Sequence, residues 1–385
     1  FKQKTAYEIR LSLVGSEMCI RDSFYGMSRR LLHLYAFFCV FATLILICIG
    51  GIVTSTGSGL AVPDWPTSYG YNMFLFPFSR WFGDRAIFYE HTHRVVASGV
   101  GFLMIGLCVW LWFSPERKER TWLCWWGTVA LILVIIQGIL GGLRVTELNN
   151  YLGLVHGFVA QVFLVLTAAI TLCLSKTWME WEKMDILNRF SKGIMKNPTL
   201  LKFGVILTIV VFIQLIIGAS MRHQHNGLAI PDFPLAYGKL WPKTDLATMG
   251  SINENRLLKN MMPVSKVQIY LHMTHRITAC LIVFATMIYA IKIIKAVPRN
   301  SFAWFVSLIL VLSVLVQFAL GVWTVISDKA ADIATAHVLL GAILLLEVSL
   351  TTILLFRLSG GAINQMDSGV SESLDIKLNP TGQNA

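Results

Sequence analysis

Gly59-Leu-Ala-Val-Pro-Asp-Trp-Pro-Thr-Ser-Tyr-Gly70 occurs again as Gly227-Leu-Ala-Ile-Pro-Asp-Phe-Pro-Leu-Ala-Tyr-Gly238, with eight of twelve positions identical. The differences are mild, such as Val62 to Ile230 and Trp65 to Phe233. Working outward, Glu90-His-Thr-His-Arg94 is answered by His272-Met-Thr-His-Arg276, Gln137-Gly-Ile-Leu-Gly141 by Gln317-Phe-Ala-Leu-Gly321, and His156 by His337. Self-similarity of this kind is the mark of an internal repeat, so the chain reads as one half-domain written twice.

With 55% hydrophobic residues, 14% charged and a mean hydropathy of +0.64, the chain reads as an integral membrane protein. A helix needs about 20 apolar residues to cross the ~30 Å hydrocarbon core. Eight runs qualify: 31–53, 88–113, 122–143, 151–174, 200–220, 268–291, 301–326 and 332–356. The expected fold is an all-α polytopic membrane protein, its eight transmembrane helices forming two duplicated four-helix bundles. The expected divisions are a non-native leader 1–26, an N-terminal half 27–174, a cytoplasmic linker 175–199, a C-terminal half 200–357 and a disordered tail 358–385. Within the leader, residues 1–23 resemble translated sequencing-adapter read-through and lack the layout of a secretory signal. Met27, followed by Ser-Arg-Arg, is therefore the expected natural start.

The net charge of +11 raises nucleic acid as a partner, but its placement argues against one. Basic residues collect at Arg29 and Arg30, at Arg117, Lys118 and Arg120, along 176–202, and at Lys292, Lys295 and Arg299. If the helices alternate, those loops share one side, which is the positive-inside pattern. The expectation is a multi-pass protein of the cytoplasmic (inner) membrane, surrounded by lipid, with both termini cytoplasmic. Of seven cysteines, none lies in a Cys-x-x-Cys arrangement, so covalent haem attachment and zinc sites find no support.

Three odd-numbered spans carry Gln-x-x-x-Gly, at Gln137/Gly141, Gln214/Gly218 and Gln317/Gly321. One helical turn separates each pair, and the plain expectation is close packing with interhelical hydrogen bonds. The even-numbered spans carry His93, His156, His275 and His337, each one to two turns from its start. These helices would run in the same direction, so the four imidazoles sit at equal depth, near the outer face. One such histidine is most simply an interhelical hydrogen bond; four in matched pairs suit axial ligation of haem iron, one imidazole from each side. Zinc would need a third or fourth ligand, and only Glu90 and His272 are near enough in sequence.

Glu90 breaks the symmetry. It lies three residues before His93, on the same helical face, where the second half has His272. A carboxyl group there could move protons beside a haem edge, or simply pair with Arg94. His91 points to a different face from His93, and His93 is preferred because His275 matches it. Arg94 and Arg276, at the rim, are candidate partners for haem propionates or snorkelling cations.

In combination, Glu-x-x-His-Arg in the second span, one His in the fourth, and the repeated His-Arg and His resemble the haem A synthase family, over essentially residues 27–357. The resemblance implies an oxidoreductase converting the C8 methyl of haem O to a formyl group by successive hydroxylation, making haem A for terminal cytochrome oxidases. It implies His93 and His156 as ligands of the substrate haem, Glu90 as the catalytic acidic neighbour, and His275 and His337 as axial ligands of a haem b cofactor. A haem O synthase as supplier, an electron donor and a homo-oligomeric assembly are the partners it suggests. Many family members carry a cysteine pair in the first outer loop; residues 49–107 here contain none. Two rival readings remain at this level. A dihaem b-type membrane cytochrome shuttling electrons from quinol would use the same histidines without needing Glu90. A transporter would cluster its polar residues at mid-span instead.

Overall fold

The computed structural model describes residues 6–179, 199–224, 226–297, 299 and 302–378. Residues 180–198, most of the expected linker, lie outside the described residues, as do the side chains of the leader 1–26 and the tail 358–385. The described chain is all-α, and eight helices are long and apolar enough to cross a membrane. They are numbered in order: α1 (Ala6–Ser55), α2 (Arg85–Phe113), α3 (Thr121–Thr146), α4 (Asn150–Leu174), α5 (Thr199–His223), α6 (Lys266–Ala296), α7 (Phe302–Ile326) and α8 (Ala331–Leu378). The apolar parts of α1 and α8 are Met27–Ser55 and Ala331–Arg357. Beyond it, the backbone of α8 stays helical through Leu378, into the stretch expected to be disordered. Adding turns to a nucleated helix costs far less than starting one.

Side-chain caps fix where three of the four histidine helices begin. Asp84 accepts from Ala86 N and Ile87 N at the start of α2, and Asn149 accepts from Tyr151 N at the start of α4. Ser265 and Gln268 form a reciprocal capping box at the start of α6. Each satisfies backbone donors that a helix end would leave unpaired. Because each cap lies seven to ten residues before its histidine on one continuous helix, it also sets that histidine's depth.

The helices close into two rings. In the first, α1 packs on α2, α2 on α3, α3 on α4, and α4 back on α1; α5 to α8 repeat this order. Each ring has its own apolar core. Leu32, Met104, Leu107, Leu123 and Ile170 are fully buried in the first, and Leu200, Leu207, Tyr289, Leu310 and Val348 in the second. The rings meet where α1 and α4 touch α8, and where α4 touches α5. That seam buries Val40, Leu164, Ala168, Ala342 and Leu346.

At one end the first ring is fastened by charge. Glu116, fully buried, pairs with Arg29 of α1 at 3.0 Å and with Arg120 at 2.5 Å, and Arg120 also donates to Cys173 O in α4. At the opposite end the two Pro-Asp loops cap the rings. The second loop contains an unforeseen helix, Leu246–Leu258, capped by Asp245. Its buried Met249 and Ile252 build a small core with Ile230, Val264 and Ile269.

Candidate functional site

All four expected histidines lie about two turns from the loop end of their helices. The structure brings them together in the expected pairs. The rings of His275 and His337 have centroids 6.5 Å apart, and His93 and His156 are close enough to interact electrostatically. Each ring rests on a glycine of the neighbouring odd-numbered helix. A Cβ at Gly50 would lie 3.1 Å from Cε1 of His93; the distances are 3.4 Å for Gly141 and His156, 3.2 Å for Gly218 and His275, and 3.0 Å for Gly321 and His337. A side chain at Gly50, Gly218 or Gly321 would press on the imidazole and one at Gly141 would just touch it, so the glycines let backbone and ring approach.

The Gln-x-x-x-Gly pattern thereby acquires a job. Gln137 Nε2 donates to His156 O at 3.0 Å, and Gln214 Nε2 donates to His275 O at 2.9 Å. Near Gln317 the contact is reversed: its backbone carbonyl lies 3.2 Å from His337 Nδ1. Gly50 lacks the Gln-x-x-x-Gly signature, because Leu46 stands where the other three helices have Gln. The glycine alone, one turn above that position, was the available signal.

These residues fit a haem. The buried Nδ1 atoms of His93, His156 and His275 have no hydrogen-bond partner, so no protein group fixes the tautomer of these rings and Nε2 is free to offer a lone pair to a ligand. With Nδ1 of His337 donating to Gln317 O, its Nε2 keeps the lone pair that ligation requires. Two imidazoles holding one metal at about 2 Å each would put their centroids roughly 6 Å apart, which the 6.5 Å separation in the second ring matches. No group of three or more His, Cys, Asp or Glu suited to a metal ion occurs among the described residues. Two protein ligands suit a macrocycle that brings the remaining donors itself.

The remaining imidazoles are different. His91 is fully buried, within 3.1 Å of Ser68 Oγ and packed between Phe76 and Trp81. His272 accepts from Ile230 N at 3.2 Å. Glu90 does in the first half what His272 does in the second: its carboxylate accepts from Val62 N at 2.9 Å, the equivalent loop amide. Its other oxygen accepts from Arg94 at 2.8 Å. Arg94 also donates to the carbonyls of Asp64, Thr67 and Val62, and Arg276 donates to those of Leu235, Ile230 and Asp232. Both arginines, expected at the rim, thus clamp the loops to the helices.

Each loop is also tied to itself. Asp64 accepts from Tyr69 N at 2.6 Å, Gly70 N at 2.8 Å and Thr67 Oγ1 at 2.5 Å. Asp232 accepts from Tyr237 N and Gly238 N, both at 2.8 Å. These bonds hold a turn in which Tyr69 and Tyr237 take positive φ of 51° and 54°. The tyrosine hydroxyls close the loops onto Ala61 O and Ala229 O. The Trp65 ring packs against buried Gly142, where a Cβ would sit 2.2 Å from the ring, next to the seat of His156. Both loops are therefore anchored to the helices that carry the histidine pairs.

Residues 33–350 match the family described as "Cytochrome oxidase assembly protein". Several relatives carry the name "Heme A synthase". That of Geobacillus kaustophilus (strain HTA426) is 23% identical over 359 residues, covering 91% of this chain and 99% of the relative. That of Alkalihalophilus pseudofirmus is 24% identical over 330 residues, covering 85% and 98%. That of Bacillus cereus (strain AH187) is 25% identical over 303 residues, covering 76% and 84%.

Proposed function

The chain belongs to the cytochrome oxidase assembly protein family, and on that premise we propose that it works as a haem A synthase. It is an oxidoreductase acting on haem O, whose C8 methyl group it oxidises to a formyl group by successive hydroxylation. The observation that carries this reading is the asymmetry between two otherwise matched histidine pairs, with a carboxylate at Glu90 and a neutral-capable imidazole at His272.

In this reading His93 and His156 hold the substrate haem, and His275 and His337 hold a haem b, which supplies one-electron redox chemistry when bound. Glycine seats fix each ring, and the anchored loops shield the pockets from water. Glu90 is the acidic group of the reaction. Loop anchoring alone does not require an acid, since His272 receives the same loop amide. What the carboxylate adds is negative charge and a place to accept a proton as the methyl group is oxidised. The protein sits in the cytoplasmic membrane with both termini inside and the lids at the outer face. It takes haem O from a haem O synthase and electrons from a separate donor.

Haem extraction and chromatography test this in cells making the protein with a haem O synthase. Haem A or its hydroxylated precursor should appear with wild type and fall at least 100-fold with Glu90→Gln. Haem b alone from both would overturn the synthase and leave an electron-transfer cytochrome.

A further inference from the structure

Two arginines at the loop end have no counterparts in the other ring. Arg144 stands in the last turn of α3, where the register of Gly141 and Gly321 puts Thr324 in α7. Arg222 stands in the last turn of α5, where the register of Gly50 and Gly218 puts Thr54 in α1. Arg222 reaches across the seam to donate to Gly51 O and to Ser55 Oγ, the latter at 2.7 Å. It is near enough to His337 and to Arg144 to interact with both electrostatically.

Arg144 makes no such bonds. Its Nε is buried without a hydrogen-bond partner, and its guanidinium enters no ion pair among the described residues. Room for it is built in. A Cβ at Gly59, the first residue of the repeated loop, would lie 2.8 Å from Nη1 and 2.9 Å from Nη2; one at Gly153 would lie 2.9 Å from Nε. Gly227, the counterpart of Gly59, faces only the aliphatic stem of Lys329, whose Cδ lies 3.0 Å from its would-be Cβ. Three residues past the seat of His156, Arg144 lies about 4.5 Å further toward the lid. It is near enough to Glu90, His93 and His156 for its charge to be felt by each.

A partly buried guanidinium with a second one beside it calls for an anion. Glu90 is already bonded to Arg94 and Val62 N. A porphyrin held between His93 and His156 carries its carboxylates on one edge, and the polar end of the pocket lies beneath the lid. We propose that Arg144 binds a propionate carboxylate of the porphyrin in the first ring, with Arg222 adding positive potential from behind. This rests on the reading of that ring as a haem site. Arg94, by contrast, spends both terminal nitrogens on the loop. A planar fork suits a carboxylate bidentately, which a lysine cannot reproduce.

The test uses the full chain in lipid nanodiscs, titrated with haem b and with its dimethyl ester, whose propionates carry no charge. Binding is read from the Soret band, and first-ring occupancy is the part that His93→Ala removes. Wild type should favour the free acid over the ester roughly 10- to 100-fold. Arg144→Gln should lose that preference and Arg144→Lys should keep part of it, in zwitterionic and anionic lipid alike. Equal affinity of wild type for acid and ester would overturn the proposal, as would a preference unchanged in Arg144→Gln. A preference that vanishes only in anionic lipid would assign Arg144 to a lipid headgroup and also overturn it. If His93→Ala removes no porphyrin, the haem reading of this ring fails first.

Discussion

Residue 90 shows how one substitution can separate anchoring from chemistry. Glu90 is 3% exposed and His272 2% exposed, and both receive the backbone amide four residues ahead of the loop's cis-proline bond. The distinction between them is charge. Glu90→His grafts the second ring's solution onto the first, so the lid should stay anchored and porphyrin content should stay within about twofold of wild type. Haem A production should nevertheless fall by a factor on the order of 10² or more, the usual worth of a general acid or base. The check is porphyrin content, melting temperature and haem A yield on one preparation. Wild-type yield from Glu90→His would reduce the residue to an anchor. The helical spacing of Glu90 and His93 was plain in the sequence; the bond to Val62 N, 28 residues away, was not, because nothing local encodes it.

At the scale of the element, the lid depends on one carboxylate. Burial alone would raise the pKa of Asp64, but hydrogen bonds from Gly70 N, Thr67 Oγ1 and Tyr69 N together hold it below the ordinary value of 3.8. A group depressed in the folded lid stabilises it fully above the unfolded value of about 3.9, and that stabilisation is lost as pH falls through the folded value. Amide-exchange protection at Tyr69 and Gly70, corrected for intrinsic rates, should therefore be flat from pH 8 to about 5 and fall below about 4. In Asp64→Ala it should be low throughout, with a loss of about 1 kcal/mol after solvent screening. Protection in Asp64→Ala equal to wild type would show that the turn stands without its carboxylate. Prolines on either side of Asp64 exclude a regular helix, so the sequence itself is enough to identify the motif as a turn. It did not show Trp65 lying on Gly142, nor the helix Leu246–Leu258, whose apolar residues only gain meaning against the rest of the loop.

Across the whole molecule, the number of helices was legible because lipid demands long apolar runs, and the expected spans fall within those observed to a few residues. The histidine pairs were legible because such residues are rare inside spans. Which faces meet was hidden, because lipid is as apolar as leucine and hydropathy cannot distinguish a helix neighbour from a lipid chain. The seam illustrates this: its clue was small residues, Ala168 and Ala342, rather than any excess of hydrophobicity. Ala342 is fully buried between the rings, whereas Val129 is 46% exposed on α3. Ala342→Leu forces extra bulk into a packed junction, at a cost of roughly 1–3 kcal/mol. The strain falls on contacts shared by α1, α4 and α8, two of which carry a histidine, so both rings should register it. The expected outcome is a melting temperature lower by several degrees, with the Soret signals of both porphyrins released together. Val129→Leu adds bulk toward lipid and should melt as wild type does. Equal melting of the two variants, or loss of only one porphyrin from Ala342→Leu, would mean that the rings respond independently and that the seam does not couple them.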